Sequence, residues 1–151
     1  MSRIINVGDT PAKRRYAHLR SCAEVLRLLA QRPSLSSGAF DEEAKDMVAF
    51  LVFILRGIEE TIETSGQAWD DRNYWKKSEK LRDDWRWTGQ AAVQLETLML
   101  EDRWQEIPPS LIGLIPRFQS ITVTKMMRDS DWWVGAYSAM VKNAQKQGAG
   151  A

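Results

Sequence analysis

The chain has 151 residues, 44% of them hydrophobic and 27% charged, with a formal net charge of +1. That length suits one domain with a sizeable core, and the composition excludes wholesale disorder and any global attraction to nucleic acid or anionic lipid. Its one cysteine, Cys22, excludes an internal disulfide framework, and Met1 to Thr10 shows no signal-peptide pattern, so a cytoplasmic protein is expected.

In chain order, residues 1–9 are expected to form an N-terminal arm. Thr10 is placed to cap a first helix with Pro11 at its first position. Ala12, Tyr16, Leu19, Ala23, Leu26 and Ala30 step by four and three along one stripe, and the helix should stop before Pro33. RPSLSSGAF at 32–40 reads as a loop. A second helix should start at the capping Asp41, with Glu42, Glu43 and Asp46 favouring the positive end of its dipole, and run to about Ser65 or Trp69. Its centre, MVAFLVFIL at 47–55, is apolar on every side and must be covered on most of them. Nine residues fall short of the roughly 20 that a bilayer span requires, so no membrane partner is expected.

The third helix is expected over roughly Asp71 to Trp104, with a seam of Tyr74, Ser78, Leu81, Trp85, Thr88, Ala92, Leu95 and Met99. After IPPS at 107–110 comes a short helix, 110–118, that Pro116 should bend or end. SITVT at 120–124 reads as an extended connector. Asp129, Ser130 or Asp131 should cap a last helix to about Lys146, before a disordered tail at 147–151. The expected architecture is a single all-α domain, an antiparallel helical bundle of four main helices plus the short Pro-bounded helix.

WDDRNYWKKSEKLRDDWRW, residues 69–87, holds four tryptophans and a tyrosine among five acids and six bases. The mixed charge opposes a phosphate-tracking groove, which needs cations of one sign. A helix packed on two faces, with basic stems lying on indole rings, accounts for the segment better. Trp87 lies about 200° around the helix from Trp85, near Ala91 and Leu98. This second apolar patch is expected to be covered by Trp132 and Trp133 of the last helix, or by another subunit. Trp87, Ala91, Leu98, Trp132 and Trp133 are therefore the candidate partner-binding residues.

Charge is uneven along the chain. Residues 1–32 carry seven bases and two acids, whereas 33–66 carry two bases and seven acids. Lys13, Arg14 and Arg15 sit in a helical first turn, where the dipole disfavours cations. An antiparallel hairpin of the first two helices would bring Glu59, Glu60 and Glu63 beside them. Alternatively, Arg3, Lys13, Arg14, Arg15 and Arg20 form a basic end that meets an acidic partner or a phosphate backbone.

Dedicated chemistry is not indicated. His18 is the single histidine and has no acid three residues before it, so the carboxylate-bridged di-iron motif is missing. His18 and Cys22 at i and i+4 make two metal ligands without a second pair. No cofactor, metal or catalytic residue is expected. The function expected is that of a non-catalytic helical interaction protein, a homo-oligomer or a subunit of a larger assembly. Two alternatives are a small accessory nucleic-acid-binding subunit and a binder of an apolar or aromatic ligand in a tryptophan-lined cleft.

Overall fold

The computed structural model describes residues 9–149 and is helical, with no strand among them. Helix α1 (Pro11–Ala30) starts as its caps dictate: the Thr10 hydroxyl accepts from the Lys13 amide at 3.1 Å, and Pro11 occupies the first turn. A single-turn helix, α2 (Ser34–Ser37), interrupts the expected loop. Asp41 caps α3 (Glu42–Asp71), accepting from the Ala44 amide at 2.8 Å. The chain reverses at Arg72–Tyr74, with Asn73 in the left-handed region at φ 65°, and continues as α4 (Trp75–Leu100). The helix expected to run unbroken from Asp71 to Trp104 is therefore shorter at both ends.

A 3-10 turn, Trp104–Glu106, leads into α5 (Ile107–Leu114) and a second 3-10 turn, Ile115–Phe118. The short helix begins at Ile107, three residues earlier than expected. Pro108 and Pro109 sit in its first turn, where a missing amide hydrogen costs no intrahelical bond. The last helix is divided. Asp129 caps α6 (Ser130–Trp133), Gly135 turns the chain at φ 80°, and α7 (Ala136–Ala149) follows. Residues 147–149 are helical rather than part of a tail. Of the expected arm and tail, 1–8 and 150–151 lie outside the described residues.

Helix α3 is the axis of the molecule. Arg15 of α1 donates to Ser65 near the end of α3, and Arg32 pairs with Asp41 and Glu43 near its start, so the two helices are antiparallel. They approach closely at Gly57, where an added Cβ would lie 2.9 Å from the His18 ring. Helix α4 is antiparallel to α3 as well, with Arg56–Glu96 at 2.9 Å and Arg82–Glu63 at 3.1 Å.

Helix α7 runs the other way. Asp46, early in α3, accepts from the amides of Gly135 and Tyr137 at 3.2 and 2.9 Å, capping α7 from another helix. Met140, Asn143, Ala144 and Gln147 then follow Val52, Phe53 and Arg56 in the same direction. Helix α7 is thus parallel to α3 and opposite to α1 and α4, the alternation that an antiparallel chain path gives, while α1, α4 and α7 all pack on α3 itself. The all-helical class stands.

The apolar centre of α3, from Met47 to Ile58, is largely buried within one chain, with Phe50 and Gly57 half-buried and Phe53 and Arg56 exposed. Val25, Leu26 and Leu29 of α1, Leu95, Leu98 and Met99 of α4, and Ile107 and Leu111 of α5 join it in one core with Trp133 and Met140. The expected stripe on α1 is shifted: Ala12, Tyr16 and Ala30 are exposed, while every residue from Ser21 to Leu26 is buried. That middle portion has α3 on one side and the segment 115–128 on the other.

Candidate interaction surfaces

The predicted apolar patch divides into separate environments. Leu98 belongs to the main core, Ala91 is half-buried beside Trp87, and Trp132 and Trp133 pack against Phe50 of α3. Within the chain, Trp87 is met not by the last helix, as expected, but by the segment that follows α5. The Trp87 ring lies edge-on to Phe118 at 5.7 Å, stacks on Trp85 at 6.1 Å, and has the Arg117 guanidinium 4.7 Å from its centroid. The two indoles meet although their helix positions diverge, because long side chains can swing toward a common flank. Trp87 also borders a groove of about 440 Å³ between α4 and α5, with Gln90, Gln94, Ser110 and Arg117 along it.

Trp87→Ala is accordingly expected to destabilise the single chain by about 2 to 3 kcal/mol, through lost burial and lost aromatic contacts. Urea unfolding would measure it. The mass by light scattering should stay unchanged, since the indole's partners are intramolecular.

The basic cluster is dispersed in a similar way. Arg3 lies outside the described residues. Lys13 is exposed, Arg14 reaches Asp9 at 3.4 Å, and Arg15 lies 5.7 Å from the Trp85 centroid while donating to Ser65. Arg20 donates to the Lys125 carbonyl at 3.3 Å and approaches Glu24. The hairpin geometry holds, but the pairing expected of Lys13–Arg15 with Glu59, Glu60 or Glu63 is not what the side chains make. Glu63 is engaged by Arg82 from α4 instead.

Three features had no clear signal in the sequence. The first is Glu24, fully buried in α1, whose carboxylate accepts from the Met127 and Arg128 amides and from the Arg128 guanidinium at 2.5 Å. Burial would raise its pKa, but the two amides and the guanidinium outweigh that and hold the carboxyl below the usual range. Together with Arg20 and with Arg27, which donates to the Ile121 carbonyl at 2.7 Å, Glu24 fastens the irregular connector 119–129 onto α1.

The second is an aromatic cage of Phe40, Trp104 and Tyr137, with ring centroids 5.3 and 5.4 Å apart. Its occupant is the chain's own Lys45, whose ammonium stands 5.0 Å from the Trp104 centroid and 5.9 Å from that of Tyr137. The cage ties α3, α7 and the loop before α5 together.

The third is surface exposure at two places. Along the connector and α6, Met126, Met127, Trp132 and Val134 are all exposed. At the α3–α4 reversal Tyr74 is 50% and Trp75 64% exposed. Tyr74 therefore leaves the core seam that helical spacing assigned to it, because the left-handed turn at Asn73 places it ahead of α4.

Comparison with protein-family models, with curated proteins and with solved structures returns no match to this chain. The local chemistry is therefore the guide. Burial pushes the Cys22 thiol far up, so the thiolate needed for nucleophilic attack is disfavoured. His18 is pulled down, first by burial and then by Arg14, with Glu60 opposing, and so favours the neutral ring near pH 7. Among the described residues no three metal-ligating side chains gather, and no helix is long and apolar enough to cross a membrane.

Proposed function

We propose that this protein works by association: a non-catalytic helical interaction protein, acting as a homo-oligomer or as a subunit of a larger assembly. The observation that carries the reading is the shared exposure of Met126, Met127, Trp132 and Val134 along the connector and α6. Large apolar side chains grouped at a surface mark contact sites more often than scattered ones do. The group also stands on a fixed base. The Arg128 guanidinium lies 5.1 Å from the Trp132 centroid while bound to the buried Glu24, so docking would order few additional side chains.

A second copy of the chain is the first occupant to test. Light scattering at micromolar concentration should give at least twice the 17.3 kDa of one chain. A double variant, Trp132→Glu with Val134→Glu, should return the mass to that of one chain and leave the helical circular dichroism intact. A native mass of 17.3 kDa at every concentration would overturn the homo-oligomer form. The subunit form then requires the chain to elute far above that mass from a native extract.

A further inference from the structure

The α3–α4 reversal carries a second surface, independent of the α6 face. Five acids among residues 69–87 argued against phosphate contact in the linear sequence. The fold gives three of them a cationic partner and leaves the cations at the apex without an acidic one among the described residues. Asp70 accepts from Ser78 and Arg82, Asp71 from Gln67 at 2.8 Å, Asp83 from Arg86 at 2.6 Å and Asp84 from Lys80 at 3.1 Å. Asp71 and Glu79 remain without an ion pair among the described residues.

The cations at the apex are treated differently. Arg72, Lys76 and Lys77 are exposed and make no ion pair among the described residues. Two of them rest on rings instead. Lys77 stands 4.8 Å from the Trp69 centroid and 5.7 Å from that of Tyr74, and Arg72 stands 5.9 Å from Trp69. A ring holds a cation in place without neutralising it. Beside these charges, Trp75 and Tyr74 project from the turn. Lys13, at the start of α1, lies toward the same end, since α1 begins beside the last turns of α3.

We propose that this apex, Arg72, Tyr74, Trp75, Lys76 and Lys77, binds single-stranded nucleic acid, with bases stacking on Trp75 and phosphates meeting the three cations. Exposed aromatic faces next to unneutralised cations are the two elements from which sequence-tolerant strand binding is built. A duplex fits less well, because its bases are already stacked and offer no face to an indole. An anionic membrane also fits less well. A flat surface would press Glu79 and Asp71 against headgroups together with the cations, whereas a strand can run past the cations alone.

The test is fluorescence anisotropy of a labelled 20-nucleotide oligothymidine against the full chain. Saturable binding should weaken with salt, with a log–log slope of about −2 for three phosphate contacts. Trp75→Ala should weaken binding about 10-fold or more, while Lys76→Gln with Lys77→Gln should reduce the slope by about 1.4, two contacts of the three. Both substitutions are at exposed positions, and unchanged circular dichroism and oligomer mass would show that fold and α6 face are intact. Absence of oligothymidine binding at low salt overturns the proposal. So does equal affinity for duplex with no effect of Trp75→Ala, or binding confined to vesicles containing phosphatidylserine. None of these results bears on the α6 association reading, which rests on mass alone.

Discussion

Arg128→Ala is expected to destabilise the fold by about 3 kcal/mol, since it strips a buried carboxylate of its nearer counter-charge and leaves only Arg20, at 3.5 Å. Glu24 is fully enclosed, and Arg128 supplies one guanidinium bond to it at 2.5 Å and one backbone bond at 3.0 Å. The same guanidinium donates to Ser21 at 3.0 Å. In the variant the two backbone amides remain, but the negative charge stays buried without its main partner. Urea unfolding at pH 7 would measure the loss, and a change below about 1 kcal/mol would show that water reaches Glu24 freely.

The pH dependence has a definite sign. The folded carboxyl lies below its unfolded value, so the stabilisation is fully present above the unfolded pKa, about 4.3. It is lost as pH falls through the folded value. The melting temperature should therefore decline on acidification from about pH 5, with the connector 119–129 loosening before the main helices. Glu24→Gln should lower stability at pH 7 and flatten this acid limb. An acid limb of unchanged steepness in Glu24→Gln would assign the titration to another carboxylate.

Trp133→Ala and Trp132→Ala should differ sharply although the residues are adjacent. Trp133 is 4% exposed, its ring lies 6.1 Å from Phe50, and its indole nitrogen donates to Glu43 at 3.1 Å. Truncating it is expected to cost about 3 to 5 kcal/mol, the range for removing a buried indole. Trp132 is 53% exposed, and its loss should cost about 1 kcal/mol or less in the single chain. The effect of Trp132→Ala should instead appear in oligomer mass. Equal losses of stability for the two variants would mean that α6 is not seated on α3 in this orientation.

The tryptophan segment shows how far helical spacing carries and where it stops. Ser78, Thr88, Ala92, Leu95 and Met99 are buried as their positions along the seam require. Tyr74 is exposed because a single left-handed residue, Asn73, ends the previous helix and moves Tyr74 out of register. Trp87 finds Phe118, thirty-one positions away, because α5 and its 3-10 extension fold back against α4. Of the acids of this segment, Asp70 is paired across the α3–α4 hairpin with Arg82, and Asp83 and Asp84 are paired along α4. Charge counted along a chain ignores such cancellation.

Local chemistry by itself determined the helical class and the starts of α1 and α3, because caps at Thr10 and Asp41 act on amides three residues away, whereas it left three candidate caps for α6, of which Asp129 is the one used. It also determined that α3 must be covered on most sides, since nine consecutive apolar residues leave no polar face. Tertiary structure decided what covers them, the packing of α7 on α3, and which side chains stay free at the surface. Asp46 caps a helix some ninety residues later, Glu24 holds amides more than one hundred residues away, and Lys45 fills a cage built from three separate segments. Such contacts join groups whose residue types are ordinary and whose sequence separation has no period. They exist only once packing has brought the elements together, and burial then makes each polar partner obligatory.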